Sequence, residues 1–269
     1  MNILVTGASG FVGQGIMKAC PGTVAAPSLR NATADFVKRV VEESEAEVII
    51  HTAAVSDIGM CQADPEGSRH ANVRIPCFLA EAARGRKLVC FSSDQVYSAC
   101  EAEGPYPEET VKPGNLYAEQ KLEMEKRVLD LLPSAVMLRA EWMYDEYEKK
   151  SNYFMDMLKA EGRIGARANQ FRGVTYLKEV TENMEKVMTL PGGVYNFGGE
   201  TTLPMIEITR KFAAYLGKNL IVEAEPGGHN LWMDCGKART YGVVFSDVLA
   251  GLIRCADDHP ELIRRYRSR

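Results

Sequence analysis

The chain has 269 residues, 46% hydrophobic and 25% charged, a balance that excludes wholesale disorder and allows one large core with a smaller lobe beside it. A net charge of −4 without a long basic block argues against nucleic acid as a partner, and no apolar run approaches membrane-spanning length. Seven cysteines, odd in number and without a Cys-x-x-Cys pair, read as reduced thiols in a cytoplasm, and four scattered histidines lack metal-ligand spacing, so no metal site is expected.

Ile3, Leu4 and Val5 form a short apolar run without polar alternation, which suits a strand buried on both faces of a parallel sheet. A core strand this early leaves no room for a signal peptide. Gly7, Gly10 and Gly13 follow at three-residue spacing, and Phe11, Val12, Ile16 and Met17 then supply the apolar side of a helix that stops at Pro21-Gly22. Strand, glycine turn and helix make the first half of a βαβ unit whose helix N-terminus offers free N–H groups to a pyrophosphate. Gly7, Ser9, Gly10, Phe11, Val12 and Gly13 are therefore candidate cofactor-binding positions.

A second strand, Thr23 to Ala26, leads into Pro27-Ser28-Leu29-Arg30. No Asp or Glu lies between Gly7 and Asp35 to hold the ribose 2′-hydroxyl of NAD. Ser28 and Arg30 stand where the 2′-phosphate of NADP(H) would be received; NAD(H) remains the alternative, with Arg30 simply facing solvent. Phe36, Val37, Val40 and Val41 recur at helical spacing, and Val48-Ile49-Ile50 is the next buried strand. It ends at Ala53 and Ala54, small residues that permit close approach of a ligand. A helix over about 72–84, with Asn72 either its N-cap or a functional amide, precedes the strand Lys87 to Phe91. That strand runs out into Ser92-Ser93-Asp94-Gln95-Val96-Tyr97. After a loop from Cys100 to Pro113, a helix from Asn115 to Leu132 places Tyr117 and Lys121 on one face, and the strand Ala135 to Arg139 follows. A further helix, Lys178 to Leu190, precedes the strand Val194 to Phe197, and the basic tail 264–269 reads as a solvated helix end. This alternation predicts an α/β, Rossmann-type, doubly wound parallel sheet.

Thr6-Gly7-x-x-Gly10-x-x-Gly13, Ala53-Ala54, Ser92-Ser93-Asp94-x-Val96-Tyr97 and Tyr117-x-x-x-Lys121 together resemble the short-chain dehydrogenase/reductase superfamily, in its extended, epimerase/dehydratase branch of nucleotide-sugar enzymes. Within it, Leu138-Arg139 leading to Trp142-x-Tyr144, Asn152-Tyr153-Phe154, Asn169-Gln170-Phe171 with Thr175, and Asp234-x-x-Lys237 are similar to the dTDP-4-dehydrorhamnose reductase family. The resemblance implies NADP(H)-dependent reduction of a 4-keto nucleotide sugar. Tyr117 would give the proton, Lys121 would lower the Tyr117 pKa and hold the nicotinamide ribose, and Ser93 would share the carbonyl oxygen. It also implies a dinucleotide-binding part over 1–141, to which 177–197 returns. A smaller substrate lobe would come from 142–176 and 198–240, and C-terminal helices from 241–269.

Ser93, Asp94, Trp142 and Arg172 are the candidate substrate contacts, with Tyr144, Arg163, Arg167 and Trp232 behind them. The expected partner is a small-molecule nucleotide sugar, with a homodimer as a further expectation. Two departures stand out. Glu141 puts a bulky anion where these reductases carry a small hydroxyl, and Gln95 stands where the related 4,6-dehydratases carry a base, which an amide cannot replace. A non-catalytic NADP-binding regulatory subunit and a nucleotide-sugar epimerase stay open as other readings.

Overall fold

In the computed structural model, which describes residues 1–147 and 151–267, the apolar runs of the sequence become six strands of one parallel sheet. β1 (Ile3–Thr6), α1 (Phe11–Ala19), β2 (Thr23–Ala25), α2 (Ala34–Glu43) and β3 (Val48–His51) follow the apolar periodicity closely. The next stretch departs from the single helix expected from Asn72. It holds α3 (Ile58–Ala63), α4 (Pro65–Arg69), a π-helical turn (His70–Arg74) and α5 (Ile75–Ala82). Asp57 and Asp64 start the two extra helices by accepting from the Met60 and Gly67 amides, and Pro65 brings a preset φ to the first turn of α4.

Asn72 is accordingly not an N-cap. Fully buried in the π turn, it accepts from Val55 N (2.9 Å) and donates to Val55 O (3.0 Å) and Gln120 Oε1 (2.8 Å). β4 (Lys87–Ser93) runs on past Phe91 because Ser92 and Ser93 still pair with the following strand. A 3-10 turn (Asp94–Tyr97), α6 (Leu116–Leu131), capped by Asn115 on the Ala118 amide, and β5 (Val136–Ala140) complete the first part.

The chain then forms β6 (Trp142–Tyr144), α7 (Tyr153–Lys159), β7 (Arg163–Arg167), β8 (Val174–Tyr176), α8 (Leu177–Glu182), α9 (Met184–Thr189), β9 (Gly193–Phe197), α10 (Met205–Tyr215), β10 (Ile221–Glu225), α11 (Gly236–Thr240), α12 (Val248–Asp258) and α13 (Pro260–Arg267). Residues 148–150 of the expected lobe, and Ser268 and Arg269 of the basic tail, lie outside the described residues. No helix among the described residues is long and apolar enough to cross a membrane.

The sheet order is β2-β1-β3-β4-β5-β9. The chain crosses from β2 over β1 to β3, so the winding reverses between β1 and β3, and a crevice opens at their carboxyl ends. Alternate strand residues feed opposite layers. Leu4, Ile49, Leu88 and Met137 pack on α2, α5 and α6, whereas Val5, Ile50, Val89 and Leu138 pack on α1, α8 and α9. A third core, including Tyr144, Phe154, Tyr176, Phe212 and Leu252, unites β6, α7, β8, α10 and α12.

One buried ion pair crosses these layers. Arg139 of β5 makes a bidentate contact with Glu125 of α6, Nε to Oε1 at 3.0 Å and Nη2 to Oε2 at 2.7 Å, with each side chain only 5% exposed. Ser92 donates to Glu125 Oε1 (2.5 Å), Arg139 Nη1 reaches the Tyr97 hydroxyl (2.8 Å), and Tyr97 donates to Asn196 Oδ1 of β9 (2.6 Å). Removing one partner of such a pair leaves an uncompensated buried charge, at a cost of about 3–5 kcal/mol. Glu125→Gln is therefore expected to lower the urea-unfolding free energy by about that amount. An unchanged unfolding midpoint would show that the pair contributes nothing to stability.

Candidate functional site

The glycine turn after β1 is closed to side chains. Gly7 sits at φ +76°, and a Cβ on it would lie 2.7 Å from the Ala53 amide nitrogen. A Cβ on Gly13 would lie 2.2 Å from the Gly7 carbonyl oxygen. Gly7, Gly13 and Ala53 thus build the support, Gly10, Phe11, Val12 and Ala54 line the crevice itself, and Ser9 is exposed, its carbonyl accepting from Gln14 Nε2 (2.7 Å). Among the described residues no side chain caps α1, so its first turn presents backbone N–H groups there. A narrow glycine cradle under an uncapped helix start fits the pyrophosphate of a dinucleotide.

The crevice, of about 710 Å³, is closed on its other side by Ser93, Asp94, Tyr117, Lys121, Glu141, Trp142 and Arg172. Ser93, Asp94, Tyr117, Lys121, Trp142 and Arg172, all named from the sequence, therefore converge. Ser93 arrives at the end of β4 and donates to Asp94 Oδ1 (3.1 Å), while the Asn115 cap starts α6 so that Tyr117 and Lys121 face the sheet. The Lys121 ammonium is 2% exposed, donates to Phe91 O (2.7 Å) and lies 5.8 Å from the Tyr117 ring centroid.

Burial dominates the titration of both groups. It pushes the Tyr117 phenol up, against the Ser93 hydroxyl that favours its charged form, and it pulls Lys121 down to about 8. The expected lowering of Tyr117 by Lys121 is not what the structure shows: Tyr117 is held as the neutral phenol. His51, fully buried behind Lys121 and 2.6 Å from the Thr6 hydroxyl, falls to about 3, first through burial and then through the Lys121 charge.

Beside them Arg172 pairs with Asp94 Oδ2 (2.8 Å) and lies 4.3 Å from the ring centroid of Trp142, which is 61% exposed. Arg172 Nε has no hydrogen-bond partner among the described residues. Glu141 is wedged between two glycines, where a Cβ on Gly173 would meet Oε2 at 1.7 Å and one on Gly198 would meet Oε1 at 2.0 Å. Thr175 donates to it (3.0 Å). Burial, then the neighbouring Asp94, push its carboxyl well above the ordinary carboxylate value, against the Thr175 hydroxyl that favours its charged form.

Other candidates lie elsewhere. Ser28 and Arg30 are exposed beyond β2, and Arg30 lines a second cavity with Asn31, Val55, His70 and Arg74. Arg163 and Arg167 pair with Glu223 and Glu225 across β7 and β10, and Trp232 stacks on Phe171 at 4.8 Å, outside the crevice lining. Tyr144 reaches the lining from the third core. Sequence reading missed Thr52, the Ser56–Gly59 start of α3, and Tyr147, which packs on Phe11 at 5.4 Å between ring centroids. The capping residue Asp57 was the available signal.

Comparison with known proteins agrees with this fold. The sequence pattern of the RmlD substrate binding domain family matches residues 1–222. The chain is 28% identical over 219 residues to a dTDP-4-dehydrorhamnose reductase of Aggregatibacter actinomycetemcomitans, spanning 74% of each chain. It is 31% identical over 279 residues to methionine adenosyltransferase 2 subunit beta of Bos taurus, spanning 90% of this chain and 83% of the relative. A crystal structure of dTDP-4-dehydrorhamnose reductase from Bacillus anthracis str. Ames in complex with NADP superimposes with a TM-score of 0.83 at 21% identity, covering 96% of this chain and 99% of that one.

The depressed pKa of Lys121 has a consequence for folding. The unfolded lysine keeps its proton up to about 10.5 whereas the folded one releases it near 8, so the unfolded state binds more protons between these values. Stability contributed by this group is therefore expected to rise as pH increases from about 8 toward 10.5. Denaturant titrations of the parent and of Lys121→Met across that window should show the rise in the parent alone.

Proposed function

The chain belongs to the RmlD substrate binding domain family, within the extended short-chain dehydrogenase/reductase branch, and on that premise we propose that it is an NADP(H)-dependent reductase of a 4-keto nucleotide sugar. The observation that carries this reading is the convergence of Ser93, Tyr117 and Lys121 on the crevice into which the glycine turn opens. The named activity of the Aggregatibacter relative, and the NADP in the Bacillus anthracis structure, support the same reading.

Gly10, Phe11, Val12, Ala54 and Lys121 are the residues that would hold NADP(H), with Ser28 and Arg30 beyond β2 for its 2′-phosphate. When bound there, the cofactor supplies the hydride. Ser93 and Tyr117 hold the substrate's carbonyl oxygen between them, and the neutral Tyr117 phenol has the proton that the oxygen takes as charge develops on it. The tyrosinate left behind faces the Lys121 ammonium, which stabilises it until solvent returns the proton. Segments 142–176 and 198–240 form the substrate lobe in this reading. Arg172, braced by Asp94 and stacked on Trp142, meets a diphosphate oxygen.

A second reading, a non-catalytic regulatory subunit, draws support from the Bos taurus relative, which is named as a subunit of another enzyme. Single-turnover oxidation of bound NADPH by a panel of 4-keto nucleotide sugars separates the two. The parent should oxidise NADPH with at least one sugar, and Tyr117→Phe should slow that step by about 10²–10⁴-fold with NADPH affinity nearly unchanged. If no sugar of the panel oxidises NADPH, the reductase reading is overturned. Net oxidation of NADPH likewise distinguishes a reductase from an epimerase, which returns the hydride it takes.

A further inference from the structure

Behind the crevice wall, where β6 ends and α12 meets α13, Asp145, Cys255 and His259 bring a carboxylate oxygen, a thiol sulfur and an imidazole nitrogen within 4.8 Å of one another. Cys255 and His259 occupy the last turn and the C-cap of α12 at i and i+4, the spacing at which one helix face offers two ligands to one ion. Glu146 Oε2 lies 3.0 Å from His259 Nδ1. That leaves Nε2 turned into the cluster, 3.4 Å from Asp145 Oδ1 and 3.3 Å from the Tyr176 hydroxyl. A carboxylate behind one imidazole nitrogen is the arrangement that orients a histidine for metal binding through the other. The Tyr144 hydroxyl, buried and without a hydrogen-bond partner among the described residues, lies within the field of Cys255 and Asp145.

We propose that Asp145, Cys255 and His259 form a binding site for a divalent transition-metal ion, Zn²⁺ by donor chemistry, with the fourth position taken by water or the Tyr176 hydroxyl. Sulfur and nitrogen donors exclude Mg²⁺ and Ca²⁺, which take oxygen alone. Zn²⁺ binds these three donor types at about 2.0–2.3 Å, so a small closure of the side chains completes the site. Burial keeps the Cys255 thiol protonated without a cation; on binding, the S–H proton leaves to solvent and the sulfur lone pair forms the bond to the metal. No oxidation state changes. The spacing of histidines in the sequence gives no hint of the site, because Asp145 is remote from its two partners along the chain. The ion would pin the segment after β6 to the C-terminal helices, and Tyr147 of that segment packs on Phe11 at the head of α1. The site is independent of the reductase reading.

The test uses the full chain, stripped with chelator and titrated first with CoCl₂ and then with ZnCl₂. A thiolate-to-Co²⁺ charge-transfer band should grow to one equivalent and be bleached by Zn²⁺, and Zn²⁺ should raise the melting temperature of the parent. Cys255→Ser should lose the band. Asp145→Asn, at a partly exposed position that leaves the fold intact, should lose the melting-temperature rise. Glu146→Gln should weaken Zn²⁺ binding about 10–100-fold while keeping the band at saturation. Absence of the band in the parent, or Zn²⁺ affinity unchanged in Asp145→Asn, overturns the proposal.

Discussion

The buried pair of Arg139 and Glu125 is the constraint on which the rest of the molecule depends. Tyr117, Lys121 and Glu125 recur at i, i+4 and i+8 on α6, so the face that carries the two candidate catalytic side chains also carries the carboxylate that anchors the helix to β5. Because a bidentate guanidinium–carboxylate contact tolerates little rotation, fixing Glu125 fixes the axial position and roll of α6. Ser92, next to Ser93, binds the same carboxylate, so the strand end and the helix that carry the candidate catalytic side chains are referenced to one group. Through Tyr97 and Asn196 the network continues to β9, which couples the far edge of the sheet to its centre.

Above that anchor the crevice disfavours charge. Burial raises Tyr117 and Glu141 and lowers Lys121 and His51, and in each case it is the largest cause. The ion pair Asp94–Arg172 persists because each neutralises the other at hydrogen-bond distance. In such surroundings water screens poorly, so a developing negative charge feels the nearby ammonium and guanidinium far more strongly than it would in solvent.

What could be read from the sequence was what is encoded locally. The glycine turn, the continuous apolar runs of β1, β3 and β4, and the Asn-capped helix bearing Tyr117 and Lys121 each carry their own signal within a few residues. The short helices α3 and α4 escaped because two aspartate caps, rather than a long apolar stripe, start them. Asn72 looked like a cap because its partners, Val55 and Gln120, come from other elements. The raised carboxyl of Glu141 could not be read locally because its causes, burial and then the Asp94 charge, come from other elements that fold against it. The pairing of Arg139 with Glu125 has the same character: helix and strand must dock before the two charges can meet.

The strand order also bears on how the chain is made. Every pairing in the main sheet is parallel, so no two neighbouring strands can zip together through a tight hairpin, and each needs a crossover before it forms. Five strands are available once β5 has left the ribosome, but the sixth, β9, arrives only after the intervening segment with β6, α7, β7 and β8. That intervening segment packs on α10 and α12, which are synthesised after β9. During synthesis, therefore, β5 is left as a bare hydrophobic edge while the segment after it waits for its own core. The nascent chain passes through a stage with an open sheet edge and an unpacked aromatic cluster, the interval in which it most needs protection from self-association.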